Sequence, residues 1–241
     1  MALGQTSPPI TFDFSGGLRH WGYLGNDVWG DCVPAATEHL RMAKAVAATS
    51  TVLRPLYHVG FRPPGAPYTR LLYAQFLATL GEKPGPNQGV YPSQWLNWLM
   101  AHQPHPLLIG WAPWPLQGGA DAAAREAASQ FTGALIEYEL TPRAYAMSSS
   151  QEPWGIAGTT AYDQPSVRLF HEVALVRATP KVSVVVTWGQ NKDVTPAFAD
   201  LCTQSIIVCL MEEDTWRPDF PEKLAALRAL PGAQVNPGTF V

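Results

Sequence analysis

Residues 25–39, GNDVWGDCVPAATEH, set Cys32 behind a Gly-Asp pair and two positions before Pro34. Proline lacks an amide hydrogen and fixes φ, so a helix tolerates it only in the first turn. The Ala-rich run after Pro34 has helical character, which places Cys32 at a helix N-terminus. There the unpaired amide hydrogens and the positive dipole end favour a thiolate, the nucleophilic form. The same stretch fits Asp31 as an ordinary N-cap over a small packed cysteine, and a carboxylate beside the thiol opposes its ionisation. A thiolate nucleophile needs a histidine to take and return protons. Of the six histidines, His171 stands in the strand-like LFHEVALV, followed by a second strand-like run, VSVVVTWG. Together Cys32 and His171 would support attack on a carbonyl with acid-base assistance.

The elements that must hold this pair are legible in outline. The pattern from Val33 to about Ala48 is helical, with Ala36, Leu40, Ala43 and Val46 available for one face. YTRLLYAQFLATL, ended by Gly81, PSQWLNWLMAH, opened by Pro92, and ADAAAREAASQ read as three further helices. The texture then changes to GALIEYEL, LFHEVALVRA, KVSVVVTWG and SIIVCLM, β-branched or aromatic runs bounded by turn residues, with RATPKVS as a hairpin connection. PEKLAALRALPG reads as a short closing helix. Helices followed by antiparallel strands indicate an α+β fold. The expected organisation is a single domain over residues 1–241, mainly helical over 1–130 and mainly β over 131–241. The 23 prolines and 20 glycines cluster in RPPGAPY, GEKPGPNQG and WAPWPLQGG, which read as long irregular loops.

Three separate places resemble the papain-like cysteine peptidase superfamily, and more closely a group of uncharacterised phage and bacterial proteins of that fold with GND...GDC near the start. About 140 residues separate Cys32 from His171, inside the roughly 130–150 of the papain type. HEVALV resembles the histidine strand of that superfamily, and VTWG, Val186 to Gly189, resembles its Asn-Ser-Trp-Gly motif. The resemblance implies a papain-like α+β fold, with the Cys32 helix packed on an antiparallel sheet that carries His171. It implies a peptidase or amidase with a Cys-His dyad, in which Asn26, six residues before Cys32, donates to the oxyanion. It also exposes a departure. Val186 stands where the superfamily has the asparagine that orients the imidazole, with Thr187 one step on. Valine cannot hydrogen-bond, and Thr187 would miss His171 if it pointed to the other face of its strand. Glu172 and Asp193 are possible substitutes, although Glu172 should face away from His171. On this reading Val186→Asn would restore an amide acceptor and raise activity. Trp188 is expected beside the histidine strand, shielding the site. The missing asparagine also suits a second role, a structural phage virion or tail-associated component, whose partners would be other virion subunits instead of a protein or peptide substrate.

The remaining candidates are weaker. His39, about two helical turns beyond Cys32, reads as a satisfied helix histidine. His102 and His105 in HQPH have a metal-like spacing but no nearby Cys or carboxylate, so no metal and no cofactor is assigned. Cys202 and Cys209 read as buried inert thiols where a helix end runs into a strand. A net charge of −3 without a Lys/Arg run gives no footprint for nucleic acid. No secretion signal or membrane-inserting segment is expected, which suggests a cytoplasmic protein, or a virion one if phage-encoded.

Overall fold

Helix-forming and strand-forming sequence are largely segregated along the chain, and the fold keeps them in layers. The computed structural model describes residues 10–16, 18, 21–49, 66–86, 88–101 and 108–236. A two-residue strand, β1 (Phe12–Asp13), precedes three helices, α1 (Cys32–Thr49), α2 (Ala66–Thr79) and α3 (Pro92–Ala101). Strand β2 (Leu108–Pro113) and helix α4 (Ala120–Phe131) lead to β3 (Ala134–Glu139) and the short α5 (Pro142–Ala146). The hairpins β4 (Phe170–Ala178), β5 (Ser183–Thr187) and β6 (Gln190–Val194) follow. The chain continues through α6 (Pro196–Cys202), β7 (Thr203–Met211), α7 (Phe220–Ala229) and β8 (Gln234–Val235).

The strands form one antiparallel eight-stranded sheet in the order β6-β5-β4-β3-β7-β2-β8, with β1 added beside β4. Helices cover both faces. Leu40 of α1, Tyr73 and Phe76 of α2 and Trp95 of α3 pack with Leu135, Ala174, Val176 and Val186 on one face. On the other face, Ala127 of α4, Phe198 of α6 and Leu227 of α7 pack with Ile136, Val173, Leu175 and Val185. This is the expected α+β class, with helices on an antiparallel sheet. It differs from the expected halves: β1 and β2 lie in the helical half, β2 pairing with β7 and β8, and α5 and α6 lie in the β half. Part of WAPWPLQGG, read as loop, is therefore strand. Its first proline, Pro113, sits at the exposed end of β2, where a missing amide hydrogen is tolerated.

Helix α1 is not the one-faced helix its pattern suggested. It is buried nearly all round, and its charged side chains are inside. Arg41 bridges Glu38 at 3.0 Å and Glu213 at 2.8 Å, and Lys44 meets Asp214 at 2.9 Å. Such pairs add little net stability, but removing one partner strands a buried charge. They fix α1, and with it Cys32, against the 3₁₀ turn Glu212–Trp216.

Candidate active site

The segment before α1 is a run of tight turns, with Asn26 donating to the Tyr23 carbonyl at 3.0 Å and Val28 to that of Gly25 at 2.9 Å. Gly30 donates to the Gly85 carbonyl at 3.0 Å, and a Cβ there would press on the backbone of Gln88 at 3.1 Å. The glycine before Asp31-Cys32 therefore permits a close backbone approach. Helix α1 then begins at Cys32, where the sulfur is met by the backbone amides of Glu172 and Val33. Burial nonetheless pushes the thiol up to about 11, and although the Glu172 amide pulls it back, the carboxylates of Glu172 and Asp31 add to the rise.

Asp31 does not cap α1 through its side chain. Its carboxylate is buried with neither oxygen hydrogen-bonded, while its carbonyl accepts from Ala35 at 2.9 Å. Burial pushes this carboxyl up to about 7, against relief from its own amide and from Arg70.

His171 is buried in β4, with its Nε2 at 2.6 Å from Thr187 Oγ1. Trp188 lies flat on the imidazole, 4.2 Å between centroids and 9° between planes, and Trp154 meets its edge at 6.4 Å. Burial pushes the imidazole down to about 3. Strand alternation decides the partner: Thr187 shares the face of Val185 and His171, whereas Val186 points into the opposite apolar cluster with α1. Thr187 thus reaches the histidine, and Val186 does not. Asp193 lies in β6 opposite Val184 and makes no bond to His171.

Trp188 and Gly189 form the two-residue turn between β5 and β6, both at positive φ, 42° and 74°. This is the turn chemistry of a type I′ hairpin, with an aromatic in a position that usually takes Asn or Gly. Gly189 backs onto Gly22 and Tyr23, where a Cβ would lie 2.8 Å from the Gly22 carbonyl carbon, and its carbonyl accepts from Trp21 at 3.2 Å. The turn carrying Trp188 is thereby docked on the segment carrying Asn26.

Two cavities flank the pair. One, of about 370 Å³, is lined by Cys32, Val33, Tyr91, Pro92, Phe170 and His171 among others, and the second, of about 490 Å³, by Asn26, Gly30, Cys32, Tyr145, His171 and Trp188 among others. The structure thus brings Cys32 and His171 to the same cavities, with Asn26 and Trp188 on one side. No hydrogen bond joins Cys32 to His171 among the described residues. The sequence reading missed Glu137 and Trp154, and it gave Glu172 no place in the cleft. Glu172 does face away from His171, and that turns its side chain to the cavity beside Cys32. Only strand register could have revealed this.

His39 is satisfied by the Gly22 carbonyl at 2.9 Å. Cys202 and Cys209 are buried, and burial pushes both thiols up to about 12. HQPH lies outside the described residues. Among the described residues no group of three or more His, Cys, Asp or Glu could hold a metal ion, and no helix is long and apolar enough to cross a membrane.

No family model matches the chain, and no curated protein matches it. Among solved structures, the crystal structure of the Carica candamarcensis cysteine protease CMS1MS2 in complex with E-64 is similar at a TM-score of 0.47 and 14% identity, over 84% of this chain and 99% of that one.

Proposed function

We propose that this chain is a thiol-dependent hydrolase of papain-like type, a peptidase or amidase formed as one domain, with Cys32 as nucleophile and His171 as base and then acid. One observation carries the reading: a histidine clamped by a hydroxyl at 2.6 Å and an indole stacked at 4.2 Å borders the same cavities as a helix-terminal cysteine. An imidazole held at one nitrogen and on one face is fixed in orientation. When Nε2–H donates to Thr187, the lone pair of Nδ1 is left to take the thiol proton.

With the thiol pushed up and the imidazole pushed down, the resting pair is neutral. The proton then passes from Cys32 to His171 as sulfur attacks the carbonyl carbon. His171 returns it to the departing amine, leaving a thioester, and water attacks that thioester with His171 again as base. Asn26 and the Cys32 amide stabilise the oxyanion. Thr187 is a positioning residue, and Trp188 excludes water from the imidazole face. The test is hydrolysis of fluorogenic peptidyl amides: Cys32→Ala and His171→Ala should each abolish it, and unchanged turnover in Cys32→Ala overturns the proposal.

A second reading is a catalytically silent component of a phage virion or tail; the absence of a hydrogen bond between Cys32 and His171 among the described residues favours the silence, and the virion role rests on the sequence resemblance alone. Mass spectrometry of purified particles from the source organism should then detect the protein at stoichiometric levels, and its absence there counts against this reading.

A further inference from the structure

The cavity of about 370 Å³ beside Cys32 has walls of two kinds. Val33, Tyr91, Pro92 and Phe170 supply apolar and aromatic surface, and Glu137 and Glu172 supply carboxylates. The two glutamates stand directly opposite each other on β3 and β4, a pairing that is destabilising when both are charged. Glu172 is 3% exposed, neither of its oxygens has a hydrogen-bond partner, and burial, with the charge of Glu137 adding to it, raises its carboxyl well above the ordinary carboxylate range, so that an entering cation would draw it into its charged form. Glu137 accepts from Ser205 Oγ at 2.9 Å. Among the described residues no lysine, arginine or histidine forms a salt bridge with either. Native folds leave few buried polar groups unpaired, and a buried carboxylate is tolerated where a cation or a set of donors completes it.

We infer that this cavity is a specificity subsite for the guanidinium of an arginine side chain in the substrate, with Glu172 as its main counter-charge and Glu137 as a second. The inference rests on reading the cleft as a substrate site. A guanidinium suits the walls better than an ammonium. Its planar fork of donors can engage two carboxylates, it is less strongly hydrated, and it stacks on rings such as those of Tyr91 and Phe170. The methylene stem of arginine lies well along the apolar walls.

The test compares N-acetyl-argininamide with N-acetyl-citrullinamide, which has nearly the same shape without the charge, by calorimetric titration into the whole protein. The arginine probe should bind at least about tenfold more tightly, as charge-assisted hydrogen bonds exceed neutral ones. Glu172→Gln should abolish the difference, and Glu137→Gln should reduce it. Equal binding of the two probes by the wild-type protein, or a preference that survives both substitutions, overturns the inference. The wild-type comparison and Glu137→Gln decide the matter even where Glu172→Gln does not fold. Turnover of peptidyl amides is measured separately. A charge preference in binding without turnover overturns the hydrolase reading alone, and turnover without the preference overturns the subsite alone.

Discussion

Thr187 Oγ1 sits 2.6 Å from Nε2 of His171, presented by the neighbouring strand on the same face of the sheet. A single hydroxyl thus meets the imidazole, where Val186 presents none. Thr187→Val keeps the shape and removes the bond. It should lower kcat by about tenfold or more, with KM little changed, and Thr187→Ser should restore most of the rate. Steady-state kinetics on the two variants decides; equal kcat in wild type and Thr187→Val would remove Thr187 from the site.

Val186→Asn should not raise activity. Val186 is 1% exposed in the apolar cluster under α1, so the new amide would be buried without reaching His171. A loss of about 1–3 kcal/mol in stability is expected from denaturant unfolding.

The thiol should titrate late. With Cys32 pushed up to about 11 and the imidazole down to about 3, iodoacetamide labelling of Cys32 should be slow at pH 6 and climb steeply above pH 9. Asp31→Asn and Glu172→Gln each remove a carboxylate that opposes the thiolate, so each should move the labelling midpoint to lower pH. Mass spectrometry of labelled peptides reports it site by site.

Asp31 links stability to pH. Its folded carboxyl, at about 7, lies above the ordinary 3.8, so the folded chain holds a proton that the unfolded chain has lost between those values. The stability associated with that proton is fully present below pH 3.8 and is lost as pH rises through 7, a difference of at most about 4 kcal/mol. Asp31→Asn should therefore raise Tm at pH 8 and change it little at pH 4. An equal shift at both pH values would refute this origin.

Asp214→Asn should cost about 3–5 kcal/mol, because it leaves the Lys44 ammonium fully buried without its counter-charge at 2.9 Å. Thermal unfolding measures it, and Lys44→Met in the same background should recover part of the loss.

Where local pattern and final burial agree, the sequence was informative. The start of α1 follows from Pro34, and β4, β5 and β7 from their β-branched runs. The strand β6, QNKDV, is polar and follows a two-residue Trp-Gly turn, so neither its composition nor an Asn-Gly signal marked it. Glu38, Arg41 and Lys44 made α1 look half-exposed, because the distant partners of Arg41 and Lys44, Glu213 and Asp214, lie far along the chain. The site showed the same division. Cys32 and His171 stood out by residue type and setting, but the choice between Val186 and Thr187, and the turning of Glu172 to the cavity, depend on strand face and register, which periodicity alone left open.

The ion pairs that hold α1 also set an order of assembly. Glu213 and Asp214 leave the ribosome long after the Cys32 helix they secure, and β7, which lies between β3 and β2, emerges just ahead of them. A nascent or truncated chain that stops short of this turn carries Lys44 without Asp214, Arg41 with Glu38 alone, and a sheet divided at its middle. The thiol and the imidazole therefore meet in a formed cleft only after β7 and this turn have joined the rest of the sheet and α1.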